Sequence, residues 1–413
     1  MPVTLIANVR IFDGVSVISQ CGHVLIESGK IQEISDQTPS SASEYTVIDG
    51  SGCTLIPGLI DAHVHVFQDL TFLQTAMQYG VTTVLDMHNE SEWFQKMKSV
   101  ANGRNDVADL HSAGLAATVK HGWPSAILRL TAAEDPGLET RISGWPNITD
   151  EKIADEYVAT NKRSGASFIK LMQEDGCALN LPFPARPIPT PSLEIQKAIV
   201  EAAHRNDMLA VAHALTNHSV LEVLNAGVDG ITHSSLEPIN SSIIEAFQKT
   251  NAFVIPTLAV HASGSGEDSH TRERFAADLV DTAQKEHFLG CLHIMLPGFS
   301  IHNAYEQVRS LKSAGVDILC GTDSSEHLAG TRAGASVHHE LWLYVNRCGF
   351  TPIEALASAT SKIEERFKLR DRGRIEIGRQ ADLVLVKGDP TECIDALDEI
   401  IGVWRNGERV VTA

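Results

Sequence analysis

Over roughly the first 55 positions, apolar and polar residues alternate in short runs broken by turn-forming pairs. Val3 to Ala7, Val24 to Ile31 and Tyr45 to Gly50 read as strands, with turns at Asp13-Gly14 and Ser28-Gly29. The last forty residues have the same texture. Gly373 to Gly378, Ala381 to Gly388 and Ile401 to Val410 read as further strands, and Asn406-Gly407 is a hairpin signal. The two ends of the chain can therefore build one small β domain, a β-sandwich from residues 1–55 and 371–413, with residues 56–370 inserted between them.

The centre has a different rhythm. Thr54 to His63, Val81 to Met87, Leu115 to Val119, Ser167 to Met172, Leu209 to His213, Gly230 to His233, Phe253 to Ala259 and Val316 to Asp323 are short, apolar and rich in β-formers. Amphipathic runs such as Pro191 to Asn206, Asn240 to Thr250 and Arg272 to Glu286 separate them. Continuously apolar strands linked by helices predict a parallel sheet covered on both faces. Eight of them predict an α/β fold of (β/α)8 TIM-barrel type. Thr351-Pro352 with Glu354 predicts a capped helix start. The Pro-rich stretch Leu181 to Pro191 cannot pair inside a sheet and is placed as a loop over the barrel mouth.

With 413 residues, 43% of them hydrophobic, the chain can bury a large core. A formal charge of −19 makes nucleic acid and anionic membrane poor partners. The seven cysteines are scattered without a C-x-x-C pair, which suits reduced thiols in a cytoplasmic protein. The N-terminus lacks the pattern of a signal peptide, and no stretch resembles a membrane span. The expectation is a cytoplasmic homo-oligomer acting on a small molecule.

Candidate chemistry gathers at strand ends. His63 and His65 stand at i and i+2, so on a strand they point to one side and can serve one metal ion. Lys170 interrupts an apolar strand, which is costly unless the amine is paired, neutralised or modified. His213, His233 and Asp323 close three further strands. In a TIM barrel those ends form the active-site face. Unrelated core histidines have no reason to collect there.

The set Pro57 to His65, Phe168 to Lys170, His213-Ala214, Gly230 to His233 and Gly321 to Asp323 resembles the amidohydrolase superfamily. Within it, the chain is similar to the imidazolonepropionase-like branch that includes prolidase- and ochratoxinase-type enzymes. The segment Ala359 to Val386 resembles that family's return to the β domain. The resemblance implies a binuclear centre. His63, His65 and Asp323 would hold one divalent ion and His213 and His233 the other, with Lys170 carboxylated by carbon dioxide and bridging them. Zinc is the default metal for such ligands. The implied reaction is attack of a metal-bridging hydroxide on an amide, peptide-like or cyclic-amide C–N bond, with Asp323 as proton shuttle. Lactone or ester hydrolysis, and metal-dependent decarboxylation or lyase chemistry, are the alternatives on the same scaffold.

Five further residues are candidate substrate contacts: His121, Trp123, His88, His261 and His327. His88 suits hydrogen bonding behind the ligands, and His338-His339 suits helix packing. Gln173, Glu174 and Asp175 line the predicted mouth without an assignable role. One departure stands out. Prolidase-like relatives often place a tyrosine two residues after the strand-five histidine, where this chain has Leu215. A substrate with a free carboxylate beside the scissile bond is therefore disfavoured.

Overall fold

A computed structural model describes residues 3–37, 45–277 and 279–412. In chain order the strands are β1 (Thr4–Phe12), β2 (Val17–Glu27), β3 (Lys30–Ser35), β4 (Thr46–Asp49), β5 (Cys53–Pro57), β6 (Leu59–Val64), β7 (Val81–Asp86), β8 (Asp109–Ser112), β9 (Ile169–Met172), β10 (Ala210–His213), β11 (Gly230–Thr232), β12 (Phe253–Ile255), β13 (Leu383–Lys387), β14 (Ile400–Arg405) and β15 (Glu408–Thr412).

Strands from both chain ends share one sheet, ordered β15-β14-β13-β5-β1-β2-β3, with β4 beside β1. β5 links the halves: Leu55 pairs in parallel with Ile11 and antiparallel with Leu385. Ile6, Val9, Ile11, Val24, Leu55, Leu383, Leu385 and Trp404 form its apolar core. The run expected as one strand from Thr54 to His63 is two. It breaks at Gly58, whose N–H donates to Asp382 O (2.8 Å), after which Leu59 N turns to Gly80 O (2.9 Å). A Cβ at Gly58 would sit 2.1 Å from Thr82 Oγ1, so only glycine lets the chain pass from one sheet to the next here.

The remaining strands are parallel, in sheets β6-β7-β8 and β12-β11-β10-β9. Isolated bridges extend them: Ala117 with Leu171, Val254 with Ile318, and Val64 with Ser324. The segment 318–324 therefore lies between β12 and β6. β6, β7, β9 and β10 are buried along their whole length, as strands covered on both faces should be. Helices start where a side chain can cap: Asp69, Asp150, Thr216, Asn240 and Ser300 each accept a first-turn N–H. Thr351 and Glu354 make the expected capping box.

Four expected elements differ. Leu115 to Val119 makes a single bridge because Thr118 Oγ1 donates to Trp123 O (2.6 Å), where the chain turns into a loop. Val316 to Asp323 forms bridges but no continuous ladder. Cys320 N donates to Ser358 O, outside the sheet, so only part of the segment bonds β6, through Ala62 N to Cys320 O and Asp323 N to His63 O. Gly373 to Gly378 crosses the terminal sheet: Ile375 N reaches Asp13 O and Gly378 N reaches Ile31 O. The helix expected over Arg272 to Glu286 is a 3-10 segment, Ser269–Ala276, then a helix, Thr282–Leu289, restarted by the Asp281 cap; residue 278 between them lies outside the described residues.

A buried charge cluster joins the parallel strands to the C-terminal segment. Asp109, at the start of β8, lies 2.5 Å from Arg372 Nη1, 2.8 Å from Lys98 Nζ, and 3.4 Å from both Arg405 Nη2 and His111 Nε2. Burial raises the carboxyl's pKa, but His111 and Arg372 together hold it well below the usual range. Asp109→Ala leaves Arg372 and Arg405 buried without this counter-charge. It is expected to cost about 3–5 kcal/mol, read as a drop in the urea midpoint at unchanged slope. A loss below about 1 kcal/mol would mean that water replaces the carboxylate.

Candidate metal centre

Five side chains at the ends of the parallel strands meet, with Lys170 of β9 close by. His63 ends β6 and His65 follows it; their rings are 5.5 Å apart. His63 also lies 4.9 Å from the His233 ring, and His233 lies 4.4 Å from His213. Asp323 Oδ1 sits 3.2 Å from His63 Nε2 and 3.1 Å from His65 Nε2. Neither contact is aligned as a hydrogen bond, so this buried oxygen has no directed donor. One ligand atom each from His63, His233 and Asp323 falls within 4.8 Å of the others.

The electrostatics suit electron-pair donors. Burial drives the His63 pKa down to about 3, helped by the nearby Lys170, so the imidazole is neutral. Burial and the adjacent His213 hold His233 well below its ordinary value. Asp323 is pushed up by burial but pulled further down by His63 and His65, and is ionised. Lys170, on β9 and 1% exposed, is lowered to about 7 by burial, with Asp323 opposing. Its Nζ contacts Thr232 Oγ1, and Thr232 in turn donates to Ala212 O (3.2 Å). Neutral imidazoles, an ionised carboxylate without an aligned donor, and a buried amine fit a divalent cation centre. His233 and Asp323 both have positive φ (73° and 56°), the local strain common at working sites.

The candidate substrate contacts divide. Trp123 is half-buried, with its ring 5.7 Å from His213 and 6.3 Å from Phe183. Phe183 and Ile188 of the Pro-rich loop, together with Leu215, pack beside it in one apolar cluster. His88 is buried against Trp145 (4.8 Å) and accepts from Ala116 N (3.1 Å). Burial, with His65 and Lys170 nearby, lowers it to about 3. His261 is buried 5.8 Å from the His233 ring. Neither of its nitrogens makes a hydrogen bond of ordinary geometry, although it lies close enough to the Ser234 backbone to feel it. His121 and His327 are exposed; His121 sits in a left-handed turn, and His327 approaches Phe67 (5.9 Å). His338 bonds Tyr79 O and His339 bonds Thr271 Oγ1, which is the helix packing expected of them.

Sequence reasoning gave no role to four residues that touch the centre. Glu174, 1% exposed, lies 2.8 Å from His213 Nε2 through Oε2, while its Oε1 accepts from Gly176 N. Thr257 Oγ1 is 2.8 Å from His233 Nδ1. Thr232 contacts Lys170. Phe67, with φ 51°, stacks on His65 at 5.9 Å. Glu174 lies two residues past the end of β9, which placed it at the predicted mouth, but nothing local marked His213 as its partner.

The seven cysteines are unpaired, and among the described residues no helix is long and apolar enough to cross a membrane. Against known proteins, the chain is 24% identical over 396 residues to an ochratoxinase of Aspergillus niger, covering 86% of this chain and 75% of that one. An imidazolonepropionase of Streptomyces griseus subsp. griseus is 34% identical over 122 residues, 28% of this chain and 30% of that one. The solved structure of a Xaa-Pro dipeptidase with bound methionine in its active site superposes with a TM-score of 0.77 at 21% identity, covering 98% of this chain and 99% of that one. The sequence profile of the amidohydrolase family matches residues 54–412. The chain belongs to the amidohydrolase family and is a hydrolase.

Proposed function

We propose that this protein hydrolyses an amide, peptide-like or cyclic-amide C–N bond of a small molecule at a binuclear metal centre. The observation that carries the reading is Asp323 Oδ1, placed 3.1–3.2 Å from two imidazoles with no directed donor, at a point where strand ends bearing His63, His65, Lys170, His213 and His233 converge. The parallel strands form a closed (β/α)8 barrel over residues 56–370, with segment 318–324 as its eighth strand; the bridges of Ala117, Ile318 and Ser324 support closure. The terminal sheet is the separate domain of residues 1–55 and 371–413.

His63, His65 and Asp323 would hold one ion, and His213 and His233 the second. Lys170 would carry a carboxylate from carbon dioxide and lie between them. That addition requires a neutral amine, and a pKa lowered to about 7 by burial supplies one near neutrality. When bound, a divalent pair acidifies water and polarises the acyl carbonyl. Asp323 Oδ1 accepts the proton lost by the attacking water and returns it to the leaving nitrogen. Glu174 and Thr257 fix the rings of His213 and His233 through their hydrogen bonds. Trp123 and Leu215 line the His213 side with apolar surface, which favours a substrate with a bulky apolar or aromatic part.

Metal analysis of the purified protein tests the centre. The expected result is two divalent ions per chain, zinc foremost, and fewer than one in Lys170→Ala. Short carboxylic acids should restore part of the lost activity by standing in for the missing anion. A Lys170→Ala protein that keeps two ions would sink the bridging role. A panel of N-acyl amino acids, cyclic imides and lactones, assayed also for carbon dioxide release, separates C–N hydrolysis from lactone opening and decarboxylation.

A further inference from the structure

Glu340 is a fully buried carboxylate on the helix Ala335–Cys348 that bonds none of the six candidate ligands. Its Oε1 accepts from Leu258 N (2.9 Å) and its Oε2 from Ala259 N (2.7 Å). Those are the first amides of the helix Leu258–Ser265, donors that have no acceptor within their own helix. Thr257 stands at the N-cap, where a threonine hydroxyl ordinarily accepts from the second or third helical amide, here Ala259 N or Val260 N. Thr257 instead stands at φ 54°, makes no side-chain cap, and puts Oγ1 2.8 Å from His233 Nδ1. A carboxylate from a distant helix thus takes over the capping, and the threonine hydroxyl is left for the imidazole.

The same helix reaches the other side of the centre. Tyr344, one turn beyond Glu340, donates its hydroxyl to Leu319 O (3.1 Å), in the segment that leads to Asp323. Burial pushes the Glu340 pKa up to about 8, while the Leu258 and Ala259 amides pull it down. An apolar residue would avoid that desolvation cost but would leave two buried N–H groups unsatisfied.

We propose that Glu340 is a positioning residue: by capping Leu258–Ser265 in place of Thr257, it frees Thr257 Oγ1 to accept from His233 Nδ1–H and so keeps the Nε2 lone pair for a metal ion. This rests on the reading of His233 as a ligand. An imidazole whose Nδ1–H is anchored has its tautomer and ring plane fixed, which raises its quality as a donor. If Glu340 lets go, the helix amides compete for the Thr257 hydroxyl and the His233 ring loses its anchor.

The test compares the parent with Glu340→Gln, Thr257→Val and the double variant. In metal-free protein labelled with 15N-histidine, the parent's His233 signals, assigned with His233→Gln, are expected to show the Nδ1–H tautomer. Both single variants should shift them toward a mixture. In visible-light titration with Co2+, each single variant is expected to weaken binding about 10–100-fold. The double variant should be no weaker than the worse single, because both act through one contact. Thr257→Ser, which keeps the hydroxyl, should restore parental binding. Glu340→Asp supplies the same comparison if the glutamine variant does not fold. Losses that multiply in the double variant, or His233 signals indifferent to residue 340, would overturn the proposal. A parent that takes up no Co2+ would instead remove the metal reading, and the tautomer measurement would still decide the role of Glu340.

Discussion

Asp323→Asn is expected to lower kcat/KM by on the order of 10³-fold or more on whichever substrate the parent turns over, while the thermal melt of the protein stays close to the parent's. The size follows from the tasks placed on one side chain. General acid–base transfer alone contributes about 10²–10⁴-fold, and under the proposed reading this carboxylate is also an anionic metal ligand, 3.1–3.2 Å from His63 and His65. Asparagine matches its shape, so the backbone anchor, Asp323 N to His63 O (2.8 Å), survives. What it loses is the charge that His63 and His65 now stabilise. Metal content separates the two tasks. If the variant keeps both ions and still loses turnover, proton transfer is the missing step. If it loses one ion, ligation accounts for part of the defect. Near-parental kcat/KM in the variant would end the case for Asp323 as proton carrier.

The residues of the candidate centre stood out in the sequence because they stand where a simple rule puts them. His63, His213, Lys170 and Asp323 interrupt or end apolar runs, and a polar side chain there is conspicuous against its neighbours. The partners that hold them were not legible. Thr232 and Thr257 look like ordinary strand residues, and the hydroxyl contact to His233 depends on a left-handed backbone at Thr257 that no local pattern announces. Glu340 follows His338-His339 in an amphipathic helix, where glutamate usually faces water; burial and its two amide contacts come from packing across 81 and 82 residues. The fold divides the same way. Strands with a continuous apolar signature were found, but Gly58 splits one of them because of Thr82 on the neighbouring strand, a long-range steric fact. Gly373 to Gly378 alternates like a strand, yet its amides serve Asp13 and Ile31 and leave no ladder.

Lys170→Met is expected to stabilise the metal-free protein at pH 7 by up to about 5 kcal/mol while removing metal retention and activity. The sign comes from linkage. The amine's pKa is lowered from 10.5 to about 7 by burial, so the unfolded chain binds the proton far more tightly than the folded one. The stability associated with a neutral amine is fully present above about pH 10.5 and is lost as pH falls toward 7. Over those roughly three and a half pH units the loss approaches about 5 kcal/mol, at about 1.4 kcal/mol per unit. Methionine fills a similar volume without that cost, and Thr232 keeps its bond to Ala212 O. Urea unfolding of metal-free samples between pH 7 and 10 reads both parts. The parent should gain stability relative to the methionine variant as pH rises, and the two should converge near pH 10. Equal stability at pH 7 would mean that the lysine already carries its carboxylate without metal, or that water reaches it. Either result would remove the premise that the ions and carbon dioxide offset the burial of an otherwise unfavourable amine. If the gain appears, the folded protein holds this lysine against its own stability, and the function of the centre is the reason left to explain it.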